Sequence, residues 1–469
     1  MLAAPPPLAG RKITVVGLAR SGLSAARLCL REGASVTVTD RRTEAELAAA
    51  LGEALSPLRA AQVRRTLGGH DAADFEGADL VVVSPGVPAS LPELAAARRR
   101  GVPVWAEVEL GFRFLPPGLP LVGITGTNGK STTTALTGAL LAAHRPTFTG
   151  GNLGVPLCEH VLSGARVEAV VLELSSFQLE GVERLRTRVG AVLNVTPDHL
   201  DRHGGLQGYA AAKGRLFATQ QPEDFAVANA RDAEAQALAG CSRGTRLTFG
   251  FGPPAPGARC PDGEPGPAGA PISLELAPGR RESYLLRNLA LRGRHNRENA
   301  MAALLCARLL GLPPPAAQAG LDAFPGLPHR LERVAVGRGV EWVNDSKATN
   351  VDSTAVGLAA FPAGAPRILL IMGGRGKGAP YQPLRPLFAG RVKALLTIGE
   401  DATAVERELG TLAPTESCGD LAAAARRAAD LSGPGDVVLL SPACASYDQF
   451  RNYEERGEAF RRLAAELSR

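Results

Sequence analysis

The segment Gly123-Ile124-Thr125-Gly126-Thr127-Asn128-Gly129-Lys130-Ser131-Thr132 carries the chemistry that is easiest to name. Its glycines let backbone N–H groups close around phosphate oxygens. Lys130 supplies a point charge for β- and γ-phosphates, and Ser131 offers a hydroxyl to Mg2+. A helix starting here adds the positive end of its dipole. The common Gly-x4-Gly-Lys-[Ser/Thr] template is broken, because Ile124 stands where the first glycine belongs. A plain glycine-rich turn is the bland alternative. The flanking strand and helix favour a phosphate cradle.

Other residues have chemistry that the sequence leaves open. Glu173 lies within the apolar run Val171-Leu172-Glu173-Leu174, where a carboxylate is either paired or bound to a metal. His199, in Asn194-Val195-Thr196-Pro197-Asp198-His199, follows another strand. Carboxylate, hydroxyl and imidazole at strand ends beside one phosphate loop suit Mg2+, although that ion prefers oxygen. A paired core carboxylate and a capping histidine are the alternatives. Lys213, after Tyr209-Ala210-Ala211-Ala212, reads as a solvated helix residue. Asn296 and Asn299 share one face of an opening helix and read as an N-cap pair. Arg330 reads as an ionic tie between domains. In Asn344-Asp345-Ser346-Lys347-Ala348-Thr349-Asn350, Asp345 suits ribose hydroxyls and Lys347 a γ-phosphate, with a tight turn as the alternative. Gly17-Leu18-Ala19-Arg20-Ser21-Gly22 followed by Asp40 mimics a dinucleotide fingerprint, but Ala19 replaces the middle glycine. An NAD-binding dehydrogenase and a noncatalytic nucleotide-binding module therefore stand as rival readings.

The loop from Thr125 to Thr132 is similar to that of the Mur ligases and of the folylpolyglutamate synthases that resemble them. The N-terminal region and the Asp345 loop suit the Mur ligases alone. With Gly373-Gly374-Arg375-Gly376-Lys377-Gly378 and Ser441-Pro442-Ala443-Cys444-Ala445-Ser446-Tyr447, the C-terminal region resembles the branch that adds D-glutamate. That resemblance implies ATP-dependent ligation of D-glutamate to UDP-N-acetylmuramoyl-L-alanine through an acyl phosphate, in peptidoglycan synthesis. A sister ligase adding a different amino acid is the nearest alternative.

The resemblance also implies roles. Gly126, Thr127, Asn128, Gly129, Lys130, Ser131 and Thr132 hold the ATP phosphates; Asn296 and Asn299 contact adenine; Arg330 and Asp345 complete the nucleotide site. Two Mg2+ ions are implied, with Ser131, Glu173, His199 and Lys213 as the metal set and a CO2-derived carbamate on Lys213. Lys130, His199, Lys213 and Lys347 are the implied catalytic group. The UDP substrate falls to Arg20, Ser21, Asp40, Arg41, Ser84, Gly86 and Asn152. The D-glutamate end falls to Thr349, Lys377, Ser446, Tyr447 and Tyr453, the last replacing the phenylalanine of many relatives. Residues 250–279 lie outside the resemblance.

The elements that must position these residues alternate. Short apolar runs at Lys12–Val16, Ser35–Thr39, Leu80–Val83, Leu121–Thr125, Ala169–Leu174, Ala191–Val195, Arg367–Met372, Ala394–Ile398 and Val437–Ser441 read as strands. Helices between them, including Ser131–Ala143 and Glu298–Leu310, imply parallel βαβ units. The expected fold is α/β, with three domains in series at residues 1–118, 119–327 and 328–469. The first and last are expected to be Rossmann-like, and the central one a P-loop ATPase-like, mostly parallel sheet. Pro/Gly-rich residues 250–279 read as a surface excursion with one strand, Ile272–Leu276.

Composition sets the class. The chain has 469 residues, 45% hydrophobic and 21% charged, which is ordinary for a soluble enzyme. A net charge of +6 suits acidic substrates, and no basic tail interleaved with aromatics points to nucleic acid. The tightest basic run, Arg98-Arg99-Arg100, reads as a helix C-terminus. Scattered, odd-numbered cysteines argue for a reducing compartment. Met1 to Gly10 lacks signal-peptide features, and no segment is long enough to span a bilayer. The expectation is a cytoplasmic monomer acting on small molecules.

Overall fold

The computed structural model describes residues 7–56, 58, 63–253, 255–263 and 269–469. The chain forms two compact units. The larger holds Met1–Arg287 with Glu298–Asp322, and the smaller holds Asn288–Arg297 with Ala323–Arg469.

The larger unit contains two sheets. Strands β1 (Lys12–Val16), β2 (Ser35–Asp40), β3 (Arg64–Leu67), β4 (Leu80–Val83) and β5 (Val104–Ala106) form the first, in the order β3-β2-β1-β4-β5. Every pairing in it is parallel. The chain reverses direction across the sheet between β1 and β4, and this leaves a crevice at their C-terminal ends. The expected helix up to Arg31 is there as Arg20–Arg31, and the basic run closes the helix Pro92–Arg99.

The second sheet has nine strands: β6 (Leu121–Thr125), β7 (Thr147–Gly151), β8 (Ala169–Glu173), β9 (Val189–Val192), β10 (Phe225–Asn229), β11 (Thr245–Phe251), β12 (Gly257–Cys260), β13 (Ala270–Ala277) and β14 (Arg280–Leu286). Their order is β14-β13-β12-β11-β10-β9-β6-β8-β7. It is parallel up to β12, and β13 and β14 add an antiparallel edge. Central strands such as β8 are buried on both faces, which explains their continuous apolar sequence.

Two expectations need correction. The strand expected at Ala191–Val195 begins earlier, at Val189, and ends at Val192. Its continuation, Leu193-Asn194-Val195, leaves the ladder, and Asn194 bonds the phosphate loop. Residues 250–279 are also no simple excursion. Their described part contributes β12 and β13 to the sheet, with Ala258, Cys260, Ile272 and Leu274 fully buried. β12 is buried at all four positions but reads Gly-Ala-Arg-Cys, and β13 mixes buried with exposed residues, so no continuous apolar run marks either strand. Pro254 and residues 264–268 lie outside the described residues.

The smaller unit has one sheet, from β15 (Glu332–Gly337), β16 (Val340–Asn344), β17 (Ile368–Gly373), β18 (Val392–Ile398), β19 (Thr415–Gly419) and β20 (Val437–Leu440). The order is β15-β16-β20-β17-β18-β19, parallel except for the β15–β16 edge pair. Among the described residues, no helix is long and apolar enough to cross a membrane.

One buried carboxylate ties the first two sheets together. Glu109, in the helix Glu107–Arg113, is fully buried. It accepts from the backbone N–H groups of Glu183, Arg184 and Leu185 at 2.9–3.0 Å and from Arg113 Nε at 2.7 Å. Truncation would orphan all these donors. Glu109→Ala is expected to destabilise the larger unit by about 3–5 kcal/mol. Thermal unfolding checks this, and an unchanged melting temperature would contradict it.

Candidate active site

β6 ends at Thr125, and the loop that follows turns into the helix Lys130–Ala142. Gly129 caps that helix in a left-handed conformation, φ 84°, and a Cβ there would sit 2.3 Å from Asn299 Oδ1. Glycine is required at this position by backbone and by space. The loop is clamped by Asn194. Its carbonyl accepts from Thr127 N at 2.9 Å, and its side-chain Oδ1 accepts from Asn128 N at 2.8 Å. Asn194 was not singled out from sequence; its position just past a strand was the only signal.

Two lysines converge on the loop. Lys130 Nζ donates to the carbonyls of Gly126, at 2.9 Å, and Thr127, at 2.8 Å. Lys213 Nζ donates to the same Gly126 carbonyl at 2.8 Å. Lys213 is 1% exposed, and its Nζ lies 4.3 Å from the centre of the Tyr209 ring. The solvated helix residue expected from its neighbours is therefore wrong. Burial, reinforced by repulsion from Lys130, pushes its ammonium down from the usual 10.5 to about 7. The unfolded chain keeps that proton up to its ordinary value, while the folded chain releases it near pH 7. The resulting penalty on folding is full below pH 7 and is relieved as pH rises from about 7 towards 10.5.

Glu173 ends β8, and the register sets it beside Ile124 of β6. Its Oε1 accepts from Asn152 Nδ2 at 2.7 Å, while its buried Oε2 has no partner. An orphaned carboxylate oxygen on the strand beside β6, which leads into the phosphate loop, fits a divalent cation. His199 is exposed, with φ 50°, and makes no side-chain cap to the short helix Leu200–His203. It stands at the N-cap position of that helix, as the capping alternative has it, but through backbone alone. Its ring lies 4.9 Å from that of Phe177. Among the described residues, no three His, Cys, Asp or Glu side chains gather as a metal site.

A cavity of about 430 Å³ opens at the crevice of the first sheet. All seven residues expected for the UDP substrate line it: Arg20, Ser21, Asp40, Arg41, Ser84, Gly86 and Asn152. Asn152 thus touches both this cavity and Glu173. Asp40 accepts from Leu18 N at 2.7 Å and pairs with Arg42 at 2.8 Å. Burial would raise its carboxyl, but the bonds from Arg42 and Leu18 prevail and hold it at about 2. Arg42, His70 and Gln178 also line the cavity and were not anticipated. Gln178 Oε1 is fixed by Ser175 N at 3.0 Å, which leaves a buried Nε2 donor without a partner.

In the smaller unit the expected loops share the C-terminal edge of the sheet. Asp345 is buried, with Oδ1 accepting from Leu331 N at 3.2 Å and Oδ2 from Ser441 Oγ at 2.8 Å; burial pushes its carboxyl up to about 7. Lys347 Nζ lies 5.3 Å from the centre of the Tyr453 ring. Arg375 pairs with Glu400 and exchanges backbone hydrogen bonds with Ala445, bringing the Lys377 loop beside that of Ser446. Ser446 is buried, Thr349 and Tyr453 are half-buried, and Lys377 and Tyr447 are exposed.

The organiser that sequence reading missed is Arg456, 1% exposed. It donates to Ser346 Oγ at 3.0 Å and to the carbonyls of Ser346, Cys444 and Ala445 at 2.9, 3.1 and 3.3 Å. It shares a helix face with buried Phe460 and Ala464. An arginine in that apolar stripe was the available signal.

Asn296 and Asn299 lie inside the helix Arg294–Leu309, which begins four residues before the expected Glu298, so they do not cap it. Asn296 Nδ2 donates to Arg292 O at 3.1 Å, and Asn299 packs on the phosphate loop of the larger unit. Arg330 is exposed, and its positive charge acts on the Asp345 carboxyl, opposing the effect of burial there.

Comparison with known proteins agrees with this layout. The descriptions that match are the Mur ligase MurD-like N-terminal domain over residues 11–106, the Mur ligase middle domain over 124–307 and the Mur ligase glutamate ligase domain over 329–444. The middle match runs through residues 250–279, which the resemblance had left out. A UDP-N-acetylmuramoylalanine--D-glutamate ligase of Anaeromyxobacter dehalogenans is 74% identical, covering 99% of this chain and 100% of its own. One from Myxococcus xanthus is 51% identical over 98% and 99%. Among solved structures, MurF ligase from Thermotoga maritima in complex with ADP matches with a TM-score of 0.60 at 17% identity, covering 98% of this chain and 96% of its own. UDP-N-acetylmuramate-alanine ligase from the same organism gives 0.57 at 19%, over 97% and 98%. These two support the fold alone. With relatives this similar along their whole length and a match in each module, the chain belongs to the Mur ligase family.

Proposed function

We propose that this chain joins D-glutamate to UDP-N-acetylmuramoyl-L-alanine, driven by ATP, in peptidoglycan synthesis. The reading rests on the full-length, 74% identical relative whose name states that reaction. The phosphate loop with its paired lysines supports the chemistry. Its three domains are taken as residues 1–118, 119–327 and 328–469, in a cytoplasmic monomer that binds no nucleic acid.

The alanine carboxylate of the precursor attacks the γ-phosphorus of ATP, forming a C–O–P bond and releasing ADP. The amine of D-glutamate then attacks the acyl phosphate carbonyl. Inorganic phosphate leaves from the tetrahedral adduct as the amine gives up a proton. Phosphoryl transfer of this kind depends on positioning and charge neutralisation. Gly126 to Thr132 and Lys130 hold the phosphates. Asn296, Asn299, Arg330 and Asp345 are assigned to the rest of the nucleotide. Ser131, Glu173 and His199 are assigned to Mg2+, which when bound neutralises phosphate charge. Lys347 is assigned to the γ-phosphate, and Thr349, Lys377, Ser446, Tyr447 and Tyr453 to D-glutamate.

Lys213 takes a special place. An amine that titrates near pH 7 is substantially neutral in the cell and can capture CO2. Such a carbamate, formed as the amine adds to CO2 and gives up a proton to solvent, would be anionic and would replace the repulsion with Lys130 by attraction.

Two outcomes are expected. Phosphate release with the UDP-muramoyl-alanine precursor should occur with D-glutamate and not with other amino acids; activity only with another amino acid would overturn the assignment. Lys213→Ala should lower turnover about a hundredfold or more, and a variant with wild-type turnover would remove this lysine from the mechanism.

A further inference from the structure

We propose that Asp401 and Tyr381 are a positioning pair: the Asp401 carboxylate, held by the Tyr381 hydroxyl, closes the loop that presents Lys377 to the incoming amino acid. The inference rests on the proposed assignment of Lys377 to D-glutamate and adds two residues that act through it.

That loop needs fastening. After β17 ends at Gly373, Arg375 and Lys377 to Pro380 are exposed, between buried Gly374 and buried Tyr381. Glycines at 374, 376 and 378 give the stretch little stiffness of its own. A cation on a loose loop binds a carboxylate weakly, because ordering the loop on binding costs affinity.

Asp401 holds both ends. It stands just after β18, and its backbone N–H donates to Gly374 O at 2.9 Å, at the near end. Its Oδ2 accepts from the Tyr381 hydroxyl, at the far end. Between the two, the carboxylate packs on the loop itself, since a Cβ on Gly376 would lie 2.1 Å from Asp401 Oδ2. The same hydroxyl reaches a third loop: Cys444 Sγ, after β20, lies 3.0 Å from Tyr381 Oη. The phenol proton goes to the carboxylate, so the thiol is the donor there. Burial pushes that thiol up to about 11, and it keeps its proton. The chain Cys444–Tyr381–Asp401 thus joins the loops after β20, β17 and β18, and the first two of these carry Ser446 and Lys377.

Hydroxyl and ring can be separated. The ring belongs to the apolar core with Leu384, Val405 and Leu409, and Tyr381 N donates to Glu408 Oε2 at 2.7 Å. Tyr381→Phe keeps both and removes the tie to Asp401.

Steady-state kinetics of the full-length enzyme, with D-glutamate, ATP and the UDP-muramoyl-alanine precursor varied in turn, test this. Tyr381→Phe should raise the KM for D-glutamate about tenfold, the loss of one hydrogen bond to a charged group, with kcat and the other two KM values within about twofold. Asp401→Ala should do the same, and the double variant should be no worse than either single one, because all three break one contact. A folded Tyr381→Phe with the wild-type KM for D-glutamate, an equal rise for all three substrates, additive losses in the double variant, or a Tyr381→Phe that does not fold would each overturn the inference. Wild type inactive with D-glutamate would instead count against the proposed function.

Discussion

Two ammonium groups donating to one backbone carbonyl, that of Gly126, set the character of the larger unit's site. Like charges held so close in a partly dehydrated setting repel by several kcal/mol unless an anion intervenes. The fold keeps them there through rigid backbone. Asn194 fixes the loop, Gly129 allows its approach to Asn299, and the helix that carries Lys213 buries the side chain. The conflict is resolved in two ways, by deprotonation of Lys213 and by attraction of phosphate. A site strained in this sense is incomplete without its ligands, as expected where phosphoryl transfer depends on charge neutralisation.

Each sheet places its chemistry at the C-terminal ends of parallel strands, where chain reversals open crevices. In the first sheet, Asp40 spends its acceptors on the glycine turn and Arg42, so it shapes the cavity. In the smaller unit Arg456 plays the matching part, drawing the Ser346 and Cys444–Ala445 loops together through neutral acceptors alone. A buried guanidinium without a carboxylate is costly, and geometry in those loops is what it secures.

Much of this was legible in the sequence because the signals are local. The phosphate loop, the helix up to Arg31 and the central strands follow from short-range pattern, and the residues expected for the UDP substrate do line one cavity. What was not legible depends on which face of an element meets which neighbour. Lys213 sits after three alanines in a helix with little amphipathic contrast, so its own segment does not reveal burial. His70 enters the cavity because β3 pairs with β2, a tertiary fact. The β12–β14 edge was hidden by glycine, proline and polar residues among its apolar ones, and Arg456 by an arginine's usual preference for water.

The most direct measurement is the titration of the Lys213 amine by NMR in Nζ-labelled protein, free of nucleotide and CO2, with Lys213→Arg to assign the signal. A midpoint near 7 that moves upward in Lys130→Met is the predicted result. A midpoint near 10.5 in both proteins would contradict the shared-carbonyl account.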